Sequence, residues 1–440
     1  MEDEEQLSSN KVDKGGALTL NRDGIESKSF RSLLSWFCLD HSNLWKSGVS
    51  WSVFFVLGIG APLVSHFVFL CSTCDSEHQR PYDAVVQLSL SSLAVVSFLC
   101  LSAWARKFGV RRFLFLDKLS DESDKVREGY QKHLQRSMRL LCIFVLPCFA
   151  VEIVYRIWWY ATGAHEIPYY GNMYVSDTII CIMQLVSWLY RTSIYILVCI
   201  LYQLICHLQI LKLEDFAQVF QQETEVGSIL QQHLKIRRSL KVISHRFRKF
   251  ILSSLILVTA SQLICLLITT RSSANNNIFE AGELSLCSII LVLGLFICLR
   301  SATKITHKAQ SITSLAAKWH VCATINSFDE LDGETPTTQI TSNRVYPVNI
   351  DCELDDEEDD AEDDLDNSKL VPVFAHTISF QKRHALVMYL ENNRAGITVF
   401  GFMLDRTGLH AVFGVELALL LWLLNKTIGI ALPFFGALRA

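Results

Sequence analysis

Hydrophobic positions along the chain gather in seven long runs, and each meets the roughly 20 apolar residues that a helix needs to cross a bilayer. The runs lie at 49–71, 83–105, 140–160, 175–208, 250–270, 281–299 and 407–424. Apolar runs of this length, with no period-two alternation, predict helices rather than strands. The fold class expected is an all-α membrane protein with seven transmembrane helices. Helical spacing carries on past two of the runs. The fourth continues through 208–220 without a breaker, and the sixth through 301–325 without Pro or Gly. At 1.5 Å per residue, such extensions reach on the order of 30 Å beyond the lipid. A shorter pattern, Phe30, Leu33, Leu34 and Phe37 with Lys28 and Arg31 beside it, suits an interfacial helix ahead of the first run.

The polar positions between the runs set the orientation. Six basic residues precede the first run, ten lie between the second and third, eight between the fourth and fifth, and nine, from Arg300 to Arg394, between the sixth and seventh, with Arg406 at the edge of the last run. The alternate loops and the carboxyl end hold only Arg80, Arg271, Lys426 and Arg439. Excess Lys and Arg mark the cytoplasmic side. The amino terminus and the long helical extensions are therefore expected in the cytoplasm, and the carboxyl terminus outside. This excludes G-protein-coupled receptors, microbial-type rhodopsins and seven-span sugar carriers, whose amino termini lie outside. Lys426, at the end of the last run, is also badly placed for a retinal lysine. The first 28 residues are polar and open Met-Glu-Asp-Glu-Glu, so the first span is expected to act as its own insertion signal.

Five segments follow. Residues 1–46 form a cytoplasmic tail with the interfacial helix, and 47–325 hold transmembrane helices 1–6 with their cytoplasmic extensions. Residues 326–370 are an insert whose block Asp355–Asp364, Asp-Asp-Glu-Glu-Asp-Asp-Ala-Glu-Asp-Asp, cannot bury itself and is expected to be disordered. A cytoplasmic helix at 371–396, centred on 374–391, precedes the last span, and 397–440 carry that span and the end of the chain.

Composition agrees with lipid. Half of the residues are hydrophobic and 19% are charged, below the roughly one quarter typical of soluble domains. Of fourteen cysteines, nine lie in apolar stretches where a thiol acts as a small hydrophobe. Cys71 and Cys74 are expected outside, where a disulfide can persist. No zinc site is expected, because no second ligand pair stands nearby. No cofactor, enzymatic activity or nucleic-acid partner is expected. The chain has no Gly-rich phosphate loop, no paired acids on a defined helix face and no nucleophile elbow. His307 and His320 read as structural histidines.

Among the charged residues inside the runs, Glu152, Arg156, Arg191 and Glu416 stand out. A charge at bilayer depth costs about 2.5–3.5 kcal/mol or more, so each should face protein or water. Glu152 and Arg156, four apart, share a helix face and can pair. Arg191 has no carboxylate at i±4 and needs a partner from another span, a carbonyl or a wet cavity. Glu416 lies midway along the last run, and an Arg191–Glu416 pair is one expectation. Aromatic residues crowd the outer end of the third run and its loop. They form either an interfacial belt or an outward-facing pocket for a small organic ligand, with Tyr155, Trp159, Tyr169 and Tyr170 as its candidate residues.

The end of the chain carries a resemblance. Residues 394–427 read RAGITVFGFMLDRTGLHAVFGVELALLLWLLNKT. This segment is similar to a plant family of seven-span proteins, known as a domain of unknown function and grouped with gustatory-receptor-like proteins. It also resembles the ending of insect odorant and gustatory receptors. In those, a Gly-aromatic segment, an acidic residue and a polar linker precede a terminal helix that ends in Thr-Tyr, five apolar residues and Gln. Val412, Phe413 and Gly414 match the start of that helix. Ala418 takes the Thr position, Leu419 the Tyr position and Asn425 the Gln position.

The resemblance implies a homotetrameric, ligand-gated cation channel in the plasma membrane or an endomembrane. Its central pore would be lined by the last span and its main subunit contact formed by cytoplasmic helices. The implied pore-lining residues are Ala418, Trp422, Asn425 and Lys426, with Trp422 at the gate. Helix geometry agrees in part: Ala418, Trp422 and Asn425 share a face, while Glu416 lies about 200° round from Ala418. Two departures matter. Four tryptophans would make a tight hydrophobic gate, and Lys426 near the mouth would repel cations. The alternatives are a non-conducting membrane receptor or scaffold acting through its cytoplasmic helices, and a carrier, for which repeat symmetry and matched broken helices are missing.

Overall fold

A computed structural model describes residues 44–68, 82–113, 124–163, 173–222, 225–271, 278–329 and 380–428. The interfacial helix expected near Phe30, Cys71 and Cys74, Tyr169 and Tyr170, and the acidic insert lie outside these residues, as does the side chain of Lys426.

Helix dominates the described residues. The first crossing is α1 (Leu44–Phe54), a π-helical turn (Phe55–Gly60) and α2 (Ala61–Val68). The helices α3 (Asp83–Phe113), α4 (Asp124–Gly163), α5 (Met173–Gln222), α6 (Val226–Arg271) and α7 (Ile278–Asp329) follow. A short α8 (Phe380–Asn392) leads to a hairpin of β1 (Thr398–Val399) and β2 (Phe402–Met403), and α9 (Arg406–Ile428) ends the described chain. Seven helices are long and apolar enough to cross a membrane: α1–α2, α3, α4, α5, α6, α7 and α9. All seven sit where the apolar runs predict them. The fourth and sixth continue as expected, to Gln222 and Asp329.

Two prolines lie within the described helices. A proline ring clashes with the carbonyl four residues earlier and removes one N–H from the ladder. Pro62 stands two residues past the π turn, and the carbonyl it would meet is that of Gly58, inside that turn. The widened turn accommodates the ring. Pro147 sits inside α4, a position that helices in lipid tolerate better than helices in water.

The described residues belong to two compact units. The first comprises α1–α4, α5 up to Ile205, α6 from Phe247, α7 up to Ser301, and α9. The middle of α5 is its core: 83% of the apolar stretch of α5 is buried, against 22% for α1–α2 and α4 and 17% for α9. Aromatic contacts tie helices together. Phe54 of α1 stacks on Phe98 of α3 at 4.1 Å. Trp104 of α3 and Tyr202 of α5 both lie against Phe247 of α6, at 4.5 and 4.7 Å. Ser89 of α3 shares a 2.8 Å hydrogen bond with Ser261 of α6.

The second unit comprises the end of α5, the start of α6, the end of α7, α8 and the hairpin. Ser239 Oγ donates to Gln209 Oε1 at 2.7 Å, joining α6 to α5. Lys308 of α7 pairs with Glu214 of α5 at 3.2 Å. His233 meets the Tyr389 ring edge-on at 5.8 Å and His320 lies 5.1 Å from Phe380, so α8 is held by α6 and α7. Nine cysteines, all in the apolar stretches, are free thiols.

One close approach depends on glycine. Tyr195 of α5 lays its ring against Gly294 of α7 and donates its hydroxyl to the Leu291 carbonyl at 3.0 Å. A Cβ at residue 294 would collide with that ring. Gly294→Ala is expected to destabilise the protein by about 1–3 kcal/mol through overpacking, measured as a drop in the thermal unfolding midpoint in nanodiscs. Adding Tyr195→Leu to that variant should recover part of the loss.

Candidate functional site

Buried charge is the most specific chemistry in the first unit. Glu152 and Arg156, one turn apart on α4, are each 1% exposed. Arg156 Nε donates to Glu152 Oε1 at 2.7 Å. Its Nη1 donates to Gln184 Oε1 on α5 at 3.0 Å, and its Nη2 pairs with Glu283 on α7. Gln184 passes the connection on, donating from Nε2 to Ser65 Oγ of α2 at 2.7 Å. One guanidinium therefore links three helices directly and a fourth through an amide. The planar fork of arginine suits this, since its five N–H groups point in fixed directions.

A second guanidinium lies beside the first group. Arg191 of α5 donates from Nη1 to Ser91 Oγ on α3 at 3.1 Å and from Nε to the Ser187 carbonyl at 3.3 Å. Ser187 Oγ reaches the Leu57 carbonyl, in the π turn, at 2.6 Å. On α3, Gln87 Nε2 donates to Asp83 Oδ1 at 3.1 Å, and His66 Nδ1 of α2 lies 3.8 Å from Asp83 Oδ2. The two neighbouring groups together hold three carboxylates, Asp83, Glu152 and Glu283, and two guanidiniums. Two of their buried acceptors, Glu152 Oε2 and Gln87 Oε1, have no hydrogen-bond partner among the described residues. Such an arrangement can receive hydrogen-bond donors or positive charge.

The four sequence-predicted intramembrane charges separate into two places. Glu152, Arg156 and Arg191 join the network. Glu416 does not: it is 2% exposed and accepts from Thr259 Oγ1 of α6. The expected Arg191–Glu416 pair is therefore corrected. Arg191 donates to a hydroxyl and carbonyls of α3 and α5, and Glu416 accepts from Thr259 through Oε1 while its Oε2 has no hydrogen-bond partner among the described residues, so the two side chains do not pair. Glu283 and Gln184, which complete the network, were not singled out from the sequence. Glu283 sits at the start of its apolar run, where an acid reads as an ordinary boundary. Its partner, 127 residues away, leaves no local signature.

The candidate ligand aromatics divide as well. Tyr155 is half-buried, with the Arg156 guanidinium 6.0 Å from its ring centre. Trp159 packs edge-on against Tyr160 at 4.9 Å, in a cluster completed by Trp158, Ile180 and Cys181. On α9, Glu416, Leu420 and Leu423 form a buried stripe, while Ala418 is exposed and Trp422 and Asn425 are half-buried. Phe413 adds a contact with Phe296 of α7 at 4.4 Å. No group of three potential metal ligands occurs among the described residues.

Seven described helices long and apolar enough to span a bilayer, several of them joined by buried ionic groups, fit the class of multi-span helical membrane proteins. The chain belongs to the family described as "Protein of unknown function (DUF3537)", whose model matches residues 26–415. The match takes in the whole network and ends one residue before Glu416. Neither the curated proteins nor the solved structures contain a match to it.

Removing one partner of a buried ionic group leaves the other charge uncompensated, which costs about 3–5 kcal/mol, whereas replacing the whole group by apolar residues is often neutral. Arg156→Leu should therefore lower the thermal unfolding midpoint sharply. The triple variant Glu152→Leu, Arg156→Leu, Glu283→Leu should recover most of that loss.

Proposed function

We propose that the chain is one subunit of a homotetrameric, ligand-gated cation channel, with the pore lined by α9. In this reading the amino terminus and the helical extensions lie in the cytosol, the carboxyl end lies outside, and the protein resides in the plasma membrane. The observation that carries it is the two-sided character of α9. Its Glu416–Leu420–Leu423 stripe is committed to its own subunit, and only 17% of its apolar stretch is buried. The positions outside that stripe include Ala418, which is exposed, and Trp422 and Asn425, which are half-buried. A helix that faced lipid alone would gain nothing from an amide there, because lipid offers it no hydrogen-bond partner. A fourfold arrangement gives that side a protein-lined axis.

Three further points support the reading. The resemblance of residues 394–427 to insect chemoreceptor endings is one. The excess of basic residues on one side of the runs supports the orientation. The buried network, with two unpartnered acceptors among α3 and α4, supports recognition of a small ligand in the outer half of the bundle, beside Tyr155. Four Trp422 side chains close the pore to water at rest, and Lys426 limits cation flow at its mouth.

Purified protein in planar bilayers tests this. Trp422→Ala should raise the ligand-independent current several-fold, and Lys426→Gln should shift the reversal potential toward greater cation preference. A non-conducting receptor or scaffold would leave both variants silent, and silent variants in protein that images as a monomer would end the channel reading.

A further inference from the structure

We propose that the hairpin ahead of the last crossing is a membrane-interface anchor, with Phe402 foremost among its apolar side chains docked in the polar headgroup zone of the bilayer. The hairpin is short and its turn has two residues: Thr398 pairs with Met403 and Val399 with Phe402, leaving Phe400 and Gly401 at the tip. Both tip residues have positive φ, 50° for Phe400 and 92° for Gly401. Two-residue hairpin turns of that kind suit Asn-Gly. A bulky ring in the left-handed region is strained, because its Cβ crowds the following carbonyl. The fold thus holds an aromatic side chain, at some strain, at the most prominent point of the loop. Phe402 is 80% exposed, Phe400 52% and Met403 37%. Phe402 is the most open of these side chains, and exposed apolar surface of that kind marks a contact with a nonaqueous neighbour.

Register along the helices places the hairpin near the bilayer surface. The Ile397 amide donates to Thr306 Oγ1 of α7 at 3.1 Å, and the Thr398 amide donates to Ser244 Oγ of α6 at 3.1 Å. Thr306 lies seven residues past the end of the sixth apolar run, and Ser244 six residues before the fifth begins. At 1.5 Å per residue both stand about 9–10 Å beyond the hydrocarbon edge. The polar zone on each side of a bilayer is about 5–8 Å thick, within reach of a phenylalanine or methionine side chain. Chain continuity agrees: only three residues separate Met403 from Thr407, where the last apolar run begins, and the intervening chain spans at most roughly 14 Å.

The surrounding charge suits phospholipid. Lys304, Arg394 and Arg406 are exposed in the same unit as the hairpin, with Asp405 as the acid beside them in sequence. Aromatic residues flanked by basic ones are the usual composition of a membrane–water boundary. The occupant is therefore lipid. This proposal rests on the seven apolar helices alone and does not require a pore.

Photocrosslinking distinguishes the possible neighbours. p-Benzoylphenylalanine replaces Phe402 in the full chain, reconstituted in nanodiscs of equal parts phosphatidylcholine and phosphatidylglycerol. The same probe at Phe55, an exposed position within the first crossing, serves as the lipid-labelled reference. Glu391, exposed on α8, serves as the reference away from the hairpin. Phospholipid adducts at residue 402 should approach the Phe55 yield and exceed the Glu391 yield several-fold by mass spectrometry. A covalent dimer of the chain in place of lipid adducts, or a yield no higher than at Glu391, overturns the proposal.

Discussion

The Arg156 guanidinium is the constraint around which the first unit is organised. A positive charge at that depth cannot be left in hydrocarbon, and a carboxylate cannot either. Their mutual attraction offsets the loss of water only when geometry is good and the remaining N–H groups are satisfied. Glu152 supplies the local partner, Glu283 the distant one, and Gln184 accepts a further bond. Because these groups come from α4, α5 and α7, the ionic requirement becomes a rule about which helices must be neighbours and at what height. Hydrophobic burial alone does not set such a rule inside lipid, where chain and solvent are equally apolar.

Around that constraint the helices take different parts. α5 is buried through most of its apolar stretch and carries both Gln184 and Arg191, so its side chains meet several partners. α9 is held along one stripe, by Thr259 through Glu416 and by Phe296 through Phe413. Glu416 and Arg156 illustrate two placements of a buried ionisable group. Arg156 has several partners, whereas Glu416 is a single acid that accepts from one hydroxyl. In the second unit the contacts change character. Charged pairs such as Lys308–Glu214 and side-chain amides such as Gln209 replace the dry aromatic stacks of the first.

Much of this was legible in the chain. Seven apolar runs, the continuation of the fourth and sixth, and the Glu152–Arg156 pair all follow from spacing on a helix, because each depends on residues close in sequence. The helical start of α6 at Val226 was less visible, since its basic residues interrupt the apolar pattern. What escaped were the long-range partners. Glu283 looks like a run boundary, Gln184 like one polar residue in a long helix, and the Arg191–Glu416 pairing was a match of charges without knowledge of which faces meet. The hairpin was hidden too, because Thr-Val-Phe-Gly-Phe-Met carries neither Asn nor Asp at its turn and is too short for alternation to register.

The π turn in the first crossing carries one consequence of its own. Inserting an extra residue per turn offsets the phase of everything that follows, so α1 and α2 present their side chains from different angular origins. Phe54 can point at Phe98 of α3 while Ser65 meets Gln184 of α5, although the two lie eleven residues apart, a spacing that in an uninterrupted helix would put them on nearly the same bearing. The first crossing behaves as two short rods joined by an indexed swivel, and shortening the swivel by one residue would turn the second rod by about a third of a revolution.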